Sequence, residues 1–279
     1  MRTWFITGAT RGLGLETARA ALAAGDRVVA TGRDVTRLGE SLGGAPDRLV
    51  ALPLDVTDDA SVGAAVAAAV ERFGGIDVLV NNAGYGQLGA FEETSPEAIG
   101  RQFETNVFGV FRVTRAVLPH MRARRAGRIV NISSMVGIVG VDGGSVYAAS
   151  KFAITGWSES LGKELARFGI FVTSVHPGYF RTDFLDGSSM KGADLSLADY
   201  AESSAAATRR RASYNHNQAG DPAAFGRAMV ALADAAEPPA MFVAGSDAAG
   251  LVAAKAEAMR DTVAAWRDLS VSTDFPGKP

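Results

Sequence analysis

The chain has 279 residues, of which 47% are hydrophobic, and this size and composition allow a large buried core and argue against disorder. Its 28 basic and 30 acidic residues are interspersed and give a formal charge of -2, which lacks the basic surface expected of a protein that binds nucleic acid or an anionic membrane. Cysteine is absent, so disulfides, thiolate nucleophiles and thiolate metal ligands are excluded.

The first residues enter a short apolar segment without a signal-peptide pattern, and no apolar run reaches the ~20 residues of a membrane span. We therefore predict a cytoplasmic protein. The one basic run, Arg209-Arg210-Arg211, is typical of a solvated helix face. Three histidines, His120, His176 and His216, are too scattered in the sequence to form a local metal motif, and no metal site is predicted.

Short apolar segments alternate with helical patterns from the first residue onwards. The predicted strands are residues 3–7, 27–31, 49–54, 76–81, 128–133, 170–176 and 241–244. The predicted helices between and after them are residues 12–24, 36–42, 58–73, 96–122, 145–168, 221–235 and 248–269. Several strands are apolar on both faces, which is typical of a parallel sheet covered by helices on each side. We predict one domain over residues 1–279: an α/β, doubly wound parallel sheet of seven strands flanked by helices, with a C-terminal helical extension at about 247–269.

A glycine-rich turn follows the first strand, Thr7-Gly8-Ala9-Thr10-Arg11-Gly12-Leu13-Gly14. Backbone amides in such a turn can approach a pyrophosphate, and the positive end of the next helix faces that anion, as in Rossmann-type dinucleotide sites. After the second strand, where an acidic residue would bind the ribose hydroxyls of NAD, the chain has Arg33. Arg33 and Arg11 suit a 2′-phosphate, which favours NADP(H) over NAD(H); the alternative is two exposed surface arginines.

Tyr147 and Lys151 lie four residues apart at the start of a predicted helix, so both side chains point from one face. An ammonium close to a phenol favours the phenolate, and we expect Lys151 to lower the pKa of Tyr147. Ser134 closes the fifth predicted strand, at the sheet edge where ligands bind in open α/β sheets.

Further motifs are Asp55-Val56, Asn81-Asn82-Ala83-Gly84, Asn106 and the segment from Pro177-Gly178 to Thr182. All of these motifs occur along the chain in the order that is typical of one known family. The chain resembles the short-chain dehydrogenase/reductase family from residue 3 to about 244. The resemblance implies a cofactor site made of Gly8, Thr10, Arg11, Gly12, Leu13, Gly14, Arg33, Asp55, Val56, Asn82, Ala83, Gly84, Tyr147, Lys151, Pro177, Gly178, Phe180 and Thr182. For Asp55, the alternative is that it only caps the following helix.

The same resemblance implies a catalytic set. Tyr147 would exchange a proton with the substrate oxygen, Ser134 would orient that oxygen, and Lys151 would hold the ribose hydroxyls. Asn106 would position a water that links the lysine to solvent. The predicted function is therefore NADP(H)-dependent interconversion of a carbonyl (ketone or aldehyde) and an alcohol. Two alternatives stay open: a catalytically silent NADP(H)-binding sensor or regulator, and an epimerase or dehydratase that uses the same site.

By family analogy the substrate pocket is lined by Gln87, Met135, Val141, Tyr179, Phe184 and Leu185, which predicts an apolar pocket for a hydrophobic substrate. Residues 183–217, rich in serine, alanine and glycine, are predicted to form a mobile lid over it. The helix after residue 247 exceeds the usual family length and could cover an assembly surface, so we predict a homodimer or monomer rather than a tetramer.

Overall fold

The structure is a computed structural model that describes residues 1–36, 38–45 and 47–275. The strands in this part of the chain are β1 (Thr3–Ile6), β2 (Arg27–Gly32), β3 (Leu49–Pro53), β4 (Val78–Asn81), β5 (Gly86–Gln87), β6 (Gly127–Ile132), β7 (Ile170–Pro177), β8 (Met190–Lys191) and β9 (Met241–Ala244). The α-helices are α1 (Gly12–Ala23), α2 (Leu38–Ser41), α3 (Asp59–Phe73), α4 (Pro96–Phe103), α5 (Gly109–Arg124), α6 (Ser145–Leu165), α7 (Ala201–Tyr214), α8 (Pro222–Asp234), α9 (Ser246–Ala265) and α10 (Arg267–Val271).

The central sheet has seven strands in the order β3-β2-β1-β4-β6-β7-β9. Every neighbouring pair in it is parallel. The predicted doubly wound α/β fold is therefore confirmed. Because the strands are parallel, their carboxyl ends meet at one edge, and residues that follow different strands are brought together there.

Hydrophobic side chains of the strands alternate between two cores, one on each face of the sheet. In β1, Trp4 and Ile6 pack on one face with residues of α1 and α8. Phe5, between them, packs on the other face with residues of α3, α5 and α6. The sheet is thus covered on both sides, which explains why its strands are apolar throughout.

Helix boundaries differ from the prediction in three places. The helix predicted at 36–42 is observed at Leu38–Ser41, while residue 37 lies outside the described residues; Gly43 and Gly44 adopt φ values of 76° and 59° that end it. The helix predicted at 96–122 is divided by a π-helical turn, Glu104–Phe108. The C-terminal extension begins at Ser246 and is broken after Ala265.

The lid, residues 183–217, carries structure that the sequence did not predict. Its strand β8 pairs in parallel with β5 in a separate two-stranded sheet. Helix α7 follows, and the buried carboxylate of Glu93 accepts hydrogen bonds from Leu197 N at 3.0 Å and Ser204 Oγ at 2.8 Å. These bonds lower the pKa of Glu93. The lid is therefore attached to the body of the protein at Glu93, in the segment between β5 and α4.

Within the residues described, no helix combines the length and the apolar character that crossing a membrane requires.

Candidate active site

A cavity of about 900 Å³ opens at the carboxyl edge of the sheet, between the turn after β1, the ends of β4, β6 and β7, and the lid. Every residue predicted to bind the cofactor borders it except Gly14. Ser134, Tyr147 and Lys151 of the predicted catalytic set also border it, and Asn106 does not. The sheet topology thus brings most of the predicted site residues to one place.

The glycine-rich turn after β1 is shaped by close backbone contacts. Gly8 and Gly12 have φ values of 64° and 57°, in the left-handed region that favours glycine. A Cβ on Gly14 would lie 2.5 Å from the carbonyl oxygen of Gly8 and 2.4 Å from Asn82 Nδ2. Gly14 therefore acts in packing this turn, behind the cavity wall. Asn82 Nδ2 also donates hydrogen bonds to the carbonyls of Thr7 and Gly8, at 3.0 and 2.9 Å, and ties β4 to the turn.

Arg33 and Asp55 border the cavity at the ends of β2 and β3. The Asp55 carboxylate accepts hydrogen bonds from the backbone N and hydroxyl of Thr57, at 2.9 and 2.7 Å. These bonds, with a smaller effect of Arg33, lower the pKa of Asp55. The cap of α3 is Asp58, whose carboxylate accepts from Ala60 N at 3.0 Å, so Asp55 is not merely the helix cap.

Arg11 borders the cavity, and its side chain also contacts the lid. Its guanidinium donates to the hydroxyls of two lid residues, Ser188 at 2.9 Å and Ser189 at 2.7 Å. These two bonds join the turn after β1 to the lid, and the predicted role of Arg11 beside the ribose stays a prediction. Arg33 borders the cavity after β2, and its role beside the ribose also stays a prediction.

Tyr147 and Lys151 extend from the first turns of α6 into the wall of the cavity. Lys151 Nζ lies 5.8 Å from the centre of the Tyr147 ring and donates a hydrogen bond to the carbonyl of Ile132 at 2.8 Å. Burial lowers the pKa of Lys151 to about 8. Ser134, at the end of β6, forms a hydrogen bond with the Tyr147 hydroxyl.

The pKa of Tyr147 does not follow the expectation. Burial raises it, and the hydrogen bond with Ser134 only partly opposes this effect. The physical reason is that desolvation penalises the phenolate more strongly than the neighbouring groups stabilise it. The phenol is therefore protonated at neutral pH, in the form that can donate a proton to an oxygen.

Asn106 is buried behind the cavity wall, in the π-helical turn. Its Nδ2 donates to the carbonyl of Tyr85 at 2.8 Å, and its Oδ1 accepts from Tyr85 N at 3.1 Å. Both bonds fix the loop after β4. The geometry thus places Asn106 as a support of the loop, and its predicted link to Lys151 through a water stays a prediction.

The predicted substrate pocket is only partly reproduced. Tyr179, Phe184 and Leu185 border the cavity, and so does Gln87, whose Nε2 donates to the carbonyl of Gly192 in the lid at 2.6 Å. Met135 is buried in a hydrophobic cluster beside Tyr147, and Val141 is 41% exposed; neither borders the cavity. Met135 belongs to the 3₁₀ turn Met135–Gly137, and Val141 lies in the loop between this turn and α6.

The cavity is also less apolar than predicted. Five charged residues border it that the sequence reasoning did not select: Arg101, Glu104, Asp183, Lys191 and Asp194. They lie on α4, the π-helical turn and the lid, and their contribution depends on how the lid folds back. No local pattern in the sequence predicts how the lid folds back.

Two further buried polar residues, His176 and Gln218, were not predicted as part of the site. His176, at the end of β7, donates from Nδ1 to the carbonyl of Ser134 at 2.9 Å, and its Nε2 lies 2.9 Å from Ser174 Oγ. It thereby holds the backbone of Ser134. The sequence signal that could have identified His176 is its position directly before the Pro177-Gly178 segment.

Asp183, Asp186 and His216 bring ligand-type atoms within 4.8 Å of one another at the two ends of the lid. All three are exposed or half-buried, and Asp186 Oδ1 already accepts a hydrogen bond from Asn215 Nδ2 at 2.6 Å. The group therefore joins the first and last residues of the lid.

Comparison with known proteins agrees with this geometry. The family described as short chain dehydrogenase matches residues 2–192. The chain belongs to the short-chain dehydrogenase family. Among its relatives, oxidoreductase BOA17 of Botryotinia fuckeliana is 38% identical over 275 residues, which cover 98% of this chain and 99% of the relative.

Solved structures of family members give the same result. A short-chain dehydrogenase from Streptomyces avermitilis is 39% identical and superposes with a TM-score of 0.90 over 98% of this chain and 99% of that one. A variant of actinorhodin polyketide ketoreductase with NADPH is 35% identical, with a TM-score of 0.73 over 87% of this chain and 95% of that one. These likenesses make the chain a dehydrogenase/reductase of a family that binds NAD(P).

The residues of the site fit such a dinucleotide. The turn after β1 leaves open backbone at Gly12, where an added Cβ would meet nothing closer than Thr182 at 3.6 Å. The buried ammonium of Lys151 borders the cavity, and none of the ion pairs among the described residues joins it to a carboxylate. One proton of the Lys151 ammonium is bonded to the carbonyl of Ile132, and hydroxyl groups of a ligand would accept hydrogen bonds from the others.

Proposed function

We propose that this enzyme is an NADP(H)-dependent oxidoreductase that interconverts a ketone or aldehyde and the corresponding alcohol, with Tyr147 as the acid and base. The observation that carries the proposal is the juxtaposition of Ser134, Tyr147 and Lys151 in one cavity wall that also contains the glycine-rich turn. The NADPH of the actinorhodin ketoreductase relative supports the choice of cofactor.

In this mechanism Gly8, Gly12 and the amino end of α1 bind the pyrophosphate, and Lys151 binds the nicotinamide ribose. When bound, the nicotinamide supplies the hydride for reduction or accepts it in oxidation. The Ser134 hydroxyl donates a hydrogen bond to the substrate oxygen and orients it. Tyr147, held protonated by burial, donates its proton to that oxygen during reduction and takes it back during oxidation.

Arg33 carries the proposed preference for NADP(H), since a guanidinium forms charge-assisted bonds with a 2′-phosphate. Arg11 would need to leave Ser188 and Ser189 to take part, so the preference rests on Arg33. A hydrophobic carbonyl compound remains the proposed substrate class, recognised by Phe184 and Leu185.

The test is oxidation of NADPH and of NADH, followed at the absorbance of the reduced nicotinamide, against a panel of ketones and aldehydes. Turnover with NADPH that falls by about 10²-fold or more in Tyr147→Phe, with nucleotide binding retained, is the expected result. Tight binding without turnover by the wild type would favour the sensor alternative. Nicotinamide retained through purification would favour the epimerase or dehydratase alternative.

For assembly we propose a homodimer or monomer rather than a tetramer. Helix α9 starts against β9, the edge strand of the sheet, and Ala248 near its start is fully buried. The helix therefore stands next to the surface through which a second pair of subunits would meet. Light scattering on the purified protein tests this, and a tetramer would contradict it.

A further inference from the structure

His176 is a fully buried histidine at the end of β7, and it does not border the cavity. The hydrogen-bond ladder between β6 and β7 ends beside it, with the bond from Ser133 N to the carbonyl of Val175 at 2.8 Å. Pro177 has no amide hydrogen with which β7 could continue this ladder. The imidazole supplies the next bond instead, because its Nδ1 lies 2.9 Å from the carbonyl oxygen of Ser134. A side chain thus replaces the backbone at the point where the serine leaves the sheet.

The partners of the two ring nitrogens fix the state of the imidazole. A carbonyl oxygen can only accept a hydrogen bond, so the ring hydrogen is on Nδ1, which faces Ser134. Nε2 then accepts from the hydroxyl of Ser174, which lies 2.9 Å away and two residues earlier on the same face of β7. Burial, with a smaller effect of the Lys151 ammonium, lowers the pKa of His176 and keeps the ring neutral at pH 7. The ring is therefore a neutral donor directed at one carbonyl.

Ser134 has further contacts in the 3₁₀ turn that follows it. Its carbonyl accepts a second bond from Gly137 N at 2.9 Å, and its hydroxyl oxygen accepts from Val136 N at 3.2 Å. The same hydroxyl forms the hydrogen bond with the phenol of Tyr147. Bonds within the turn move together with Ser134, whereas the bond from His176 ties its carbonyl to β7. The position of the serine relative to the sheet therefore depends on the histidine.

The placement of the Ser134 hydroxyl matters because, in the proposed function, it must meet both the Tyr147 phenol and the substrate oxygen. A displacement of about 1 Å in such a group can lower the rate by about 10²-fold. We propose, on the basis of the proposed function, that His176 is a positioning residue: its Nδ1 hydrogen fixes the Ser134 carbonyl and thereby holds the Ser134 hydroxyl in its reacting position. His176 acts through Ser134 and has no contact with substrate or nucleotide, since it lies behind the cavity wall.

Two variants of His176 separate its two contacts. Asparagine carries its amide nitrogen as far from the backbone as Nδ1 of histidine, so His176→Asn can keep the bond to Ser134 and loses the bond to Ser174. Glutamine carries its amide nitrogen one bond further out, like Nε2, so His176→Gln can keep the bond to Ser174 and loses the bond to Ser134. Thr173→Val is the matched control: the Thr173 hydroxyl is also buried on β7, donates to the carbonyl of Pro239 at 2.7 Å and does not border the cavity.

The experiment measures kcat and KM with the ketone or aldehyde that the wild type turns over best, and the dissociation constant of NADPH by calorimetry. We expect His176→Gln to lower kcat by on the order of tenfold, which corresponds to the loss of about one hydrogen bond. The dissociation constant of NADPH should change by less than about twofold, because no contact to the nucleotide is lost. For kcat, His176→Asn should stay within about threefold of the wild type and Thr173→Val within about twofold.

A double-mutant cycle tests whether the effect passes through Ser134. In a Ser134→Ala background the hydroxyl is gone, so His176→Gln should lower the remaining kcat, measured in single turnovers, by less than about twofold. Ser174→Ala is the second variant if the glutamine protein does not fold. It leaves the histidine in place but no longer fixes its tautomer, and we expect a loss in kcat of about two- to threefold that disappears in the Ser134→Ala background.

Three results would overturn the assignment: an unchanged kcat in His176→Gln, equal losses in the glutamine and asparagine variants, or a loss that persists in full in the Ser134→Ala background. Each of them would leave the proposed function intact. If the wild type reduced no ketone or aldehyde with either nucleotide, the proposed function would fail, and the assignment of His176 with it.

Discussion

Replacing Lys151 by methionine should stabilise the folded protein while abolishing its activity. The pKa of the buried lysine falls from 10.5 to about 8. At about 1.4 kcal/mol per pKa unit, the folded protein at pH 7 carries a cost of about 3 kcal/mol for keeping this ammonium charged. Methionine has a similar unbranched shape and removes that cost, but it leaves the carbonyl of Ile132 without its bond from Nζ, which costs about 1 to 2 kcal/mol. A net gain of about 1 to 2 kcal/mol is expected at pH 7.

The pH dependence identifies the cause. Between pH 8 and 10.5 the unfolded lysine holds its proton more often than the folded one, so the stability of the wild type rises with pH in this range, by about 2 kcal/mol at pH 9.5. The methionine variant lacks this gain. Urea unfolding of both proteins between pH 7 and 9.5 should therefore show its advantage shrinking to nothing. A methionine variant less stable at pH 7, or a difference that is constant with pH, would refute the reasoning.

Three other predictions follow from single contacts. Burial lowers the pKa of His176, so the unfolded histidine gains its proton first as the pH drops below about 6.5, and the free energy of unfolding should fall there. His176→Asn should reduce that fall, which urea unfolding at pH 7.5 and 5.5 measures. Arg11→Ala removes the bonds to the lid hydroxyls, so hydrogen exchange in the lid should accelerate while the free energy of unfolding changes by less than about 1 kcal/mol; unchanged exchange would contradict the contact. Phe225 is 2% exposed, and its ring centroid lies 5.2 Å from that of Phe180. Phe225→Ala should lower the free energy of unfolding by about 3 to 5 kcal/mol, measured by chemical unfolding. The control Phe91→Ala, at a side chain that is 64% exposed, should lower it by less than about 0.5 kcal/mol.

The fold could be predicted because its signals are local and repeated. Apolar strands such as 76–81 alternate with capped helices such as α3, and the parallel order follows once both faces of each strand are apolar. Two-residue strands such as β5 and β8 have no periodicity of their own. They form because Gly86 N donates to the carbonyl of Ser189 across about a hundred residues, and no local pattern contains that pairing.

In the candidate site, too, features set by local sequence could be predicted and features set by long-range contacts could not. Tyr147 and Lys151 are placed by helical spacing, and Ser134 by the end of a strand, so their common location could be predicted. The hydrogen bonds of Arg11 could not be predicted, because its partners, Ser188 and Ser189, lie in the lid far along the chain. The direction of the Tyr147 pKa was also missed, since it depends on how deeply the phenol is buried, a property of the assembled fold and not of the spacing to Lys151.

The π-helical turn at Glu104–Phe108 has one more residue per turn than the flanking α4 and α5. Each residue of an α-helix advances the side chains by about 100° around the axis, so the extra residue rotates the face of α4 relative to that of α5 by that amount. Both faces can then be directed inward: Arg101 borders the cavity, while Val113 and Val117 are fully buried against the sheet. Loss of one residue from this turn would give a more regular helix that could satisfy only one of these surfaces. This short segment should therefore accept substitutions more readily than changes in its length.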